Sequence, residues 1–200
     1  MIAAVALWLA TELPPPNSVV APVPPPETTT WTVPIAHSLG LLAGMRLSLS
    51  VAWPDAYDPL PLSRSGHQFR QAYNQGPEFH SNRSLLESDG DPWAINVIGH
   101  GLFGAEIYGR VRQCGGGVLS SLAFTAGTSA VWEYGIESWS KRPSGIDLVA
   151  TPVIGAVLGE ARYQAQRWLR RKPPGFWRRF AEIVIDPLGE GERGLLKTRC

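Results

Sequence analysis

Charge is scarce in this sequence. Only 18% of its 200 residues are Asp, Glu, Lys or Arg, and they sum to a formal +1. A chain held open by self-repulsion needs more charge and fewer apolar groups than the 44% found here, and a globally basic nucleic-acid binder needs an excess of one sign. Both classes are excluded on bulk numbers. Cysteine is scarcer still: Cys114 and Cys200 supply no metal-binding spacing and no disulfide framework. A bond between them is possible but only weakly favoured, because Cys200 is the last residue and chain ends are usually mobile. There is no His-x-x-x-His, no Cys-x-x-Cys and no nucleophile elbow, so the common signatures of zinc proteases, redox dithiols and serine hydrolases are missing.

Glycine (21) and proline (18) are plentiful and unevenly placed. Met1 to Ala10 is a short apolar stretch without a preceding Lys or Arg and too short to span a bilayer. It reads either as the core of an export signal or as a tail without fixed structure. Leu13 to Thr30, with seven prolines, reads as an extended linker. Residues 1–30 are thus a signal segment or tail and a Pro-rich linker. Residues 31–90 hold an apolar helix from Ile35 to Trp53, then a long irregular loop with one short helix near Gln68 to Asn74. Residues 91–172 form the core domain, and 173–200 an amphipathic helix and a C-terminal tail.

The predicted fold is all-α: a compact bundle of three long helices with flanking amphipathic helices. Helix A opens on Asp91-Pro92, a cap followed by proline at the first helical position, and stops at Gly115-Gly116-Gly117. Helix B runs from Val118 to Ser140 and ends at Lys141-Arg142-Pro143. Helix C starts either at Ser144-x-x-Asp147, a capping-box form, or at Thr151-Pro152, and ends at Pro173. It is either kinked near Pro152 or preceded by a separate turn. Phe176, Trp177, Phe180, Ile183 and Val184 then recur at helical spacing opposite Arg178 and Arg179.

The chemistry-bearing residues fall into stripes at spacing four. Helix A carries Asn96, His100, Gly104, Tyr108 and Arg112; helix B carries Ser121, Thr125, Ser129, Glu133 and Glu137; helix C offers Asp147, Thr151, Gly155, Gly159 and Glu160. Imidazole and carboxylates inside apolar helices are costly unless paired, hydrogen-bonded or metal-bound. One reading brings His100, Glu133, Asp147 and Glu160 together as a catalytic or ligand site, suited to proton transfer or to a divalent metal. The other has these groups satisfy one another, or face solvent. Trp132 and Trp139 read as packing residues. No cofactor is indicated, and the metal question stays open.

With those residues in view, the segments DPWAINVIGHGLFGAEIYGRVR, SAVWEYGIESW and RPSGIDLVATPVIGAVLGEARY resemble a bacterial family, the domain of unknown function 3943, over roughly 89–168. The ordered pieces are Asn96 with His100, Trp132 with Glu133, Ser144 with Asp147, and Gly155, Gly159 and Glu160. Many members have proline after the histidine, where this chain has Gly101. The His, Glu, Asp order is also distantly similar to small membrane proteins of the VanZ-like type. The resemblance implies a helical protein of the cell envelope or membrane; it implies no reaction.

Two functions are therefore expected. The first is an envelope or membrane-associated protein whose partner is lipid or an envelope component. Gly117 to Ile136 approaches the length of a membrane span with Glu133 as its only charge. Alternating helices would gather Arg110, Arg112, Arg167, Arg170, Arg171 and Lys172 at one end, and the helix after Pro174 suits a membrane interface. A cytoplasmic location is the other option. The second is a lipid- or envelope-directed hydrolase using His100 with Glu133, Asp147 or Glu160, with or without a metal. Nucleic acid is not expected as a partner, since the basic cluster is short and no binding motif accompanies it.

Overall fold

The computed structural model describes residues 30–52, 54, 62–87, 89, 91, 93–196 and 200. The N-terminal signal segment or tail and nearly all of the Pro-rich linker lie outside them, as do Pro92 and residues 55–61. Among the described residues there are seven α-helices and no strand; one isolated bridge joins Glu78 and Ser144.

Helix α1 is Thr32–Ala52 and α2 is Leu62–Gln75. Helix α3, His100–Gln113, is extended at its start by a π-helical turn, Ile95–Gly99. Helix α4, Val118–Ala130, continues as a π-helical stretch, Val131–Ile136, and a 3-10 turn, Glu137–Trp139. Helix α5 is Asp147–Arg170, α6 is Phe176–Ile185 and α7 is Pro187–Leu196. The all-helical expectation holds, with α3, α4 and α5 as the packed centre. Helix C is one helix with Pro152 inside it, not a turn followed by a helix. The short helix expected near Gln68 to Asn74 is present and longer, the fourteen residues of α2, and the expected C-terminal tail folds as α7. That last start repeats the cap-then-proline pattern: the Asp186 carboxylate accepts the Gly189 N–H at 3.0 Å, with Pro187 at the first helical position.

The apolar core is small. Leu42 from α1, Phe103 and Ile107 from α3 and Trp132 from α4 form it, with Leu41, Met45, Leu49, Phe124 and Ile136 packed around. Trp132 is 2% exposed, as its packing role predicts. Compactness comes instead from the α3–α5 contact. These helices run in parallel, and a Cβ at Gly155 would stand 2.7 Å from the Gly104 Cα and 2.9 Å from its carbonyl oxygen. Gly159 faces Ala105 and Tyr108 in the same way. Only glycines allow the two backbones this close.

A second organising feature is a buried ion network. Arg110, 1% exposed, lies 3.3 Å from Glu192 and 3.8 Å from Glu106. Glu106 also meets Arg162 at 2.7 Å and His37 at 3.5 Å, and His37 contacts Glu192 at 2.5 Å. Helices α1, α3, α5 and α7 are thereby tied together. Cys200 is drawn in too: its carbonyl accepts from Arg110 at 3.3 Å, and its sulfur is bonded to Cys114, with the Cα atoms 4.9 Å apart. The weakly favoured disulfide is formed, with the Cys200 carbonyl held by Arg110 and by Arg193 of α7.

Helix α1 is the one helix among the described residues long and apolar enough to cross a membrane. It is packed on the bundle through Pro34, His37, Ser38 and Leu42, while Ile35, Leu39, Leu47 and Val51 remain exposed.

A candidate metal centre between three helix ends

The stripe on α4 faces inward along its whole length: Ser121, Thr125, Ser129, Glu133 and Glu137 are all 3% exposed or less. Four residues overshoot one α-helical turn by about 40°, so a spacing-four line should drift round a straight helix. The π-helical stretch from Val131 takes an extra residue into its turn and so counteracts the drift, bringing Glu133 back toward α3 and α5. The π-helical turn before His100 stands at the same level of α3. Helices α3 and α5 share a direction and α4 opposes them, so the start of α3, the end of α4 and the start of α5 meet.

There His100, Glu133 and Asp147 converge. One ligand atom from each lies within 4.8 Å of the others, and all three side chains are buried. Each is held by an anchor outside the centre. His100 Nδ1 hydrogen-bonds Thr151 Oγ1 at 3.1 Å, which turns Nε2 toward Asp147 Oδ2 at 3.5 Å. Glu133 Oε2 accepts the Ser144 N–H at 2.7 Å, leaving Oε1 buried without a hydrogen bond. The Asp147 backbone is fixed at both ends: its N–H donates to Ser144 Oγ at 3.1 Å, half of the expected capping box, and its carbonyl accepts from Ser129 Oγ at 3.2 Å. Neither carboxylate oxygen of Asp147 accepts a hydrogen bond of good geometry from the described residues.

The surroundings are acidic. Asn96 donates to Asp89 Oδ1 at 2.8 Å, and Lys141 bridges Asp91 at 2.6 Å and Glu137 at 3.4 Å. Burial, then the Glu137 charge, pushes the Glu133 carboxyl up to about 9 against the pull of the Ser144 N–H. Burial, then the Asp89 charge, raises Asp147 to about 8. Burial, with Lys141 adding to it, lowers His100 to about 4. An imidazole kept neutral and two buried carboxyls are the donor set that a divalent metal takes, with the outer atoms of His100 and Glu133 already hydrogen-bonded. Carboxylates that resist ionisation in the protein alone ionise beside such an ion.

Among the sequence-predicted residues, His100, Glu133 and Asp147 meet, with Ser144, Asn96 and Glu137 around them. Glu160 does not join them. It pairs with Arg112 at 2.8 Å and accepts from Tyr108 at 3.0 Å, farther along the α3–α5 contact. Burial and the Glu160 hydrogen bond raise the Tyr108 hydroxyl to about 12. Thr151, which the sequence places on the helix C stripe without a role in the site, orients His100, and Asp89, which sits outside any periodic pattern, adds its charge beside Asp147.

No curated protein and no solved structure matches the chain. The family model described as a domain of unknown function, DUF3943, matches residues 86–188. This stretch holds all three converging residues with Asp89, Ser144 and Thr151, and it extends beyond the 89–168 of the sequence resemblance to take in α6. Because more than half of the chain is matched, the protein belongs to the DUF3943 family.

Proposed function

We propose that the protein is a membrane-associated component of the bacterial cell envelope whose His100, Glu133 and Asp147 bind one divalent cation of the zinc, manganese or iron class. The observation that carries the cation is the convergence of one imidazole and two carboxylates within 4.8 Å, with Glu133 Oε1 and both Asp147 oxygens buried and accepting no hydrogen bond of good geometry from the described residues. The envelope location is supported by the Cys114–Cys200 disulfide, which persists in oxidising compartments, and by the apolar α1.

The test is elemental analysis of the disulfide-bonded protein purified without chelator. One equivalent of metal is expected, lost in His100→Ala and Asp147→Asn while helical content is kept. A wild-type protein that holds no metal, and whose melting temperature ignores zinc, manganese and iron alike, sinks the proposal. Fractionation of the host tests the location separately: recovery only in the soluble cytoplasm refutes it.

Hydrolysis of a lipid or other envelope ester is the second reading. It is favoured by the position of His100, which at 7% exposure is the ligand nearest the surface. In this reading His100 accepts the proton of an attacking water, the hydroxyl forms a bond to the acyl carbon, and the ester oxygen leaves as the alcohol by taking that proton back from the imidazolium. Release of acid from an ester substrate by wild type but not by His100→Ala supports it.

A further inference from the structure

Helix α6 is turned opposite to the usual sense for a helix packed on a bundle. Its charged groups face the protein: Glu182 is 3% exposed and holds Arg178 Nε at 3.0 Å across one turn of the same helix, Arg178 Nη1 donates to the Lys172 carbonyl at 2.8 Å, and Arg179 reaches Glu190 of α7 at 3.2 Å. Its large apolar groups face away. Phe176, Trp177, Phe180 and Val184 are 54%, 77%, 51% and 62% exposed, on one stripe of the helix. The three rings touch one another, with centroids 5.2 to 6.4 Å apart, so the outward face is a continuous aromatic ridge.

Next to the ridge is the turn that leads into α6. Arg171 and Lys172 are exposed there, and the Lys172 ammonium sits 4.6 Å over the exposed Trp168 ring. The acidic residues nearby are withdrawn: Glu182, Asp186 and Glu190 are 3%, 2% and 5% exposed. Arg110, Arg112 and Arg170, expected to share a basic end, instead pair with Glu192, Glu160 and Glu190. What reaches the surface at this corner is aromatic and cationic.

We infer that this corner is a lipid-docking surface, with α6 lying in the plane of an anionic bilayer, Trp177 and Phe180 entering the headgroup region and Arg171 and Lys172 on lipid phosphates. An amphipathic helix with aromatics on its free face, flanked by cations, has the chemistry that an anionic interface recognises. A second copy of the chain fits less well, because it would bring the same cations against themselves. The inference rests on the envelope part of the proposed function by naming its partner, and it is independent of the cation centre.

The experiment is co-sedimentation of the full, disulfide-bonded chain with vesicles of phosphatidylcholine alone or mixed with phosphatidylglycerol. Wild type is expected to bind the anionic vesicles, with a blue shift of tryptophan emission and weaker binding at high salt. Trp177→Ser and Phe180→Ser each reduce the partition constant about tenfold, the affinity equivalent of partly burying one ring. Arg171→Gln with Lys172→Gln abolishes the preference for the anionic lipid. Circular dichroism and metal content should match wild type in every variant. The docking surface is refuted if wild type ignores both vesicle types, or if Trp177→Ser and Phe180→Ser bind as wild type does. Membrane fractionation that persists in those unaffected variants leaves the envelope reading standing and assigns attachment to another segment. Self-association lost in Trp177→Ser, with no vesicle binding, also overturns it in favour of a protein contact.

Discussion

Replacing Gly155 by alanine tests the link between the glycine seam and the polar centre. The new Cβ would lie 2.5 Å from the Gly104 carbonyl carbon, 2.7 Å from its Cα and 2.9 Å from its oxygen. All three are backbone atoms, so no rotamer change relieves the clash, and ordinary carbon contacts need about 3.5 to 4.0 Å. Helices α3 and α5 must part by about 1 Å. Overpacking of this kind costs about 1–3 kcal/mol, with a rigid backbone contact at the upper end. Parting the helices also stretches the 3.1 Å His100–Thr151 hydrogen bond, worth about 1 kcal/mol. Against this stands the helix propensity of alanine over glycine, about 1 kcal/mol. The net expectation is a loss of about 3 kcal/mol in urea unfolding of the oxidised protein, with weaker cation binding because His100 and Asp147 lose their common support. Gly127→Ala is the control: its Cβ meets nothing within 4 Å, so the propensity gain should appear alone, as about 0.5–1 kcal/mol of added stability. A Gly155→Ala protein as stable as wild type would refute the reasoning.

Three further outcomes follow from the same structure. Reducing the disulfide, or Cys200→Ser, should lower stability by about 4–5 kcal/mol in the loop-entropy model, because the bond closes a separation of 86 residues; a loss below about 1 kcal/mol in paired denaturation curves contradicts the anchoring of the chain end. Asp147→Asn should stabilise the metal-free protein at neutral pH by about 1 kcal/mol or more, since it removes an acid whose ionised form is opposed by burial and by the Asp89 charge, while abolishing stabilisation by added cation; thermal scans with and without metal show the crossover. Asp186 governs the acid limit. Burial alone raises its carboxyl, but the Gln166 hydrogen bond, the Arg110 and Arg193 charges and Gln113 outweigh burial and hold it well below the usual range. Its contribution is therefore complete above the unfolded value of about 3.9 and is lost as pH falls below it toward the depressed folded value. Asp186→Asn should flatten the stability profile there, as read by denaturation at stepped pH.

Much of the bundle could be read from punctuation: the glycine run after Gln113, the Lys-Arg-Pro after helix B and the Pro-Pro after Lys172 mark ends that the structure reproduces within a residue or two. What the sequence hid depended on contacts remote in the chain. Cys200 looked like a free end because the hold on it comes from Arg110, 90 residues earlier, and from a helix rich in glycine. Asp89 looked like loop charge because its hydrogen bond to Asn96 becomes meaningful only once α3 brings Asn96 beside α5. The inward turn of Arg178 and Arg179 could not be told from an outward one: a helix with one apolar and one charged face has the same pattern whichever side meets the protein, and only Glu190 on α7 decides it.

Helix geometry alone keeps Glu160 away from Asp147. Asp147 and Glu160 are thirteen residues apart, and on one continuous helix that separation is about 20 Å. Two carboxylates so placed cannot share a site of a few ångströms. Only a break near Pro152 would have allowed His100, Glu133, Asp147 and Glu160 to converge, and Pro152 lies inside an unbroken α5. The parallel register of α3 and α5 then sorts the partners: His100 falls level with Thr151, Gly104 with Gly155, and Tyr108 with Gly159 and Glu160. The glycine contact thus separates two polar groups of opposite design. On one side Glu160 is matched by Arg112 and Tyr108 and is complete as a structural pair; on the other, Glu133 and Asp147 retain buried oxygens that the described residues leave without a hydrogen bond. A protein selected for register alone needs only the first kind of group, which is why the second is the one to test for a bound cation.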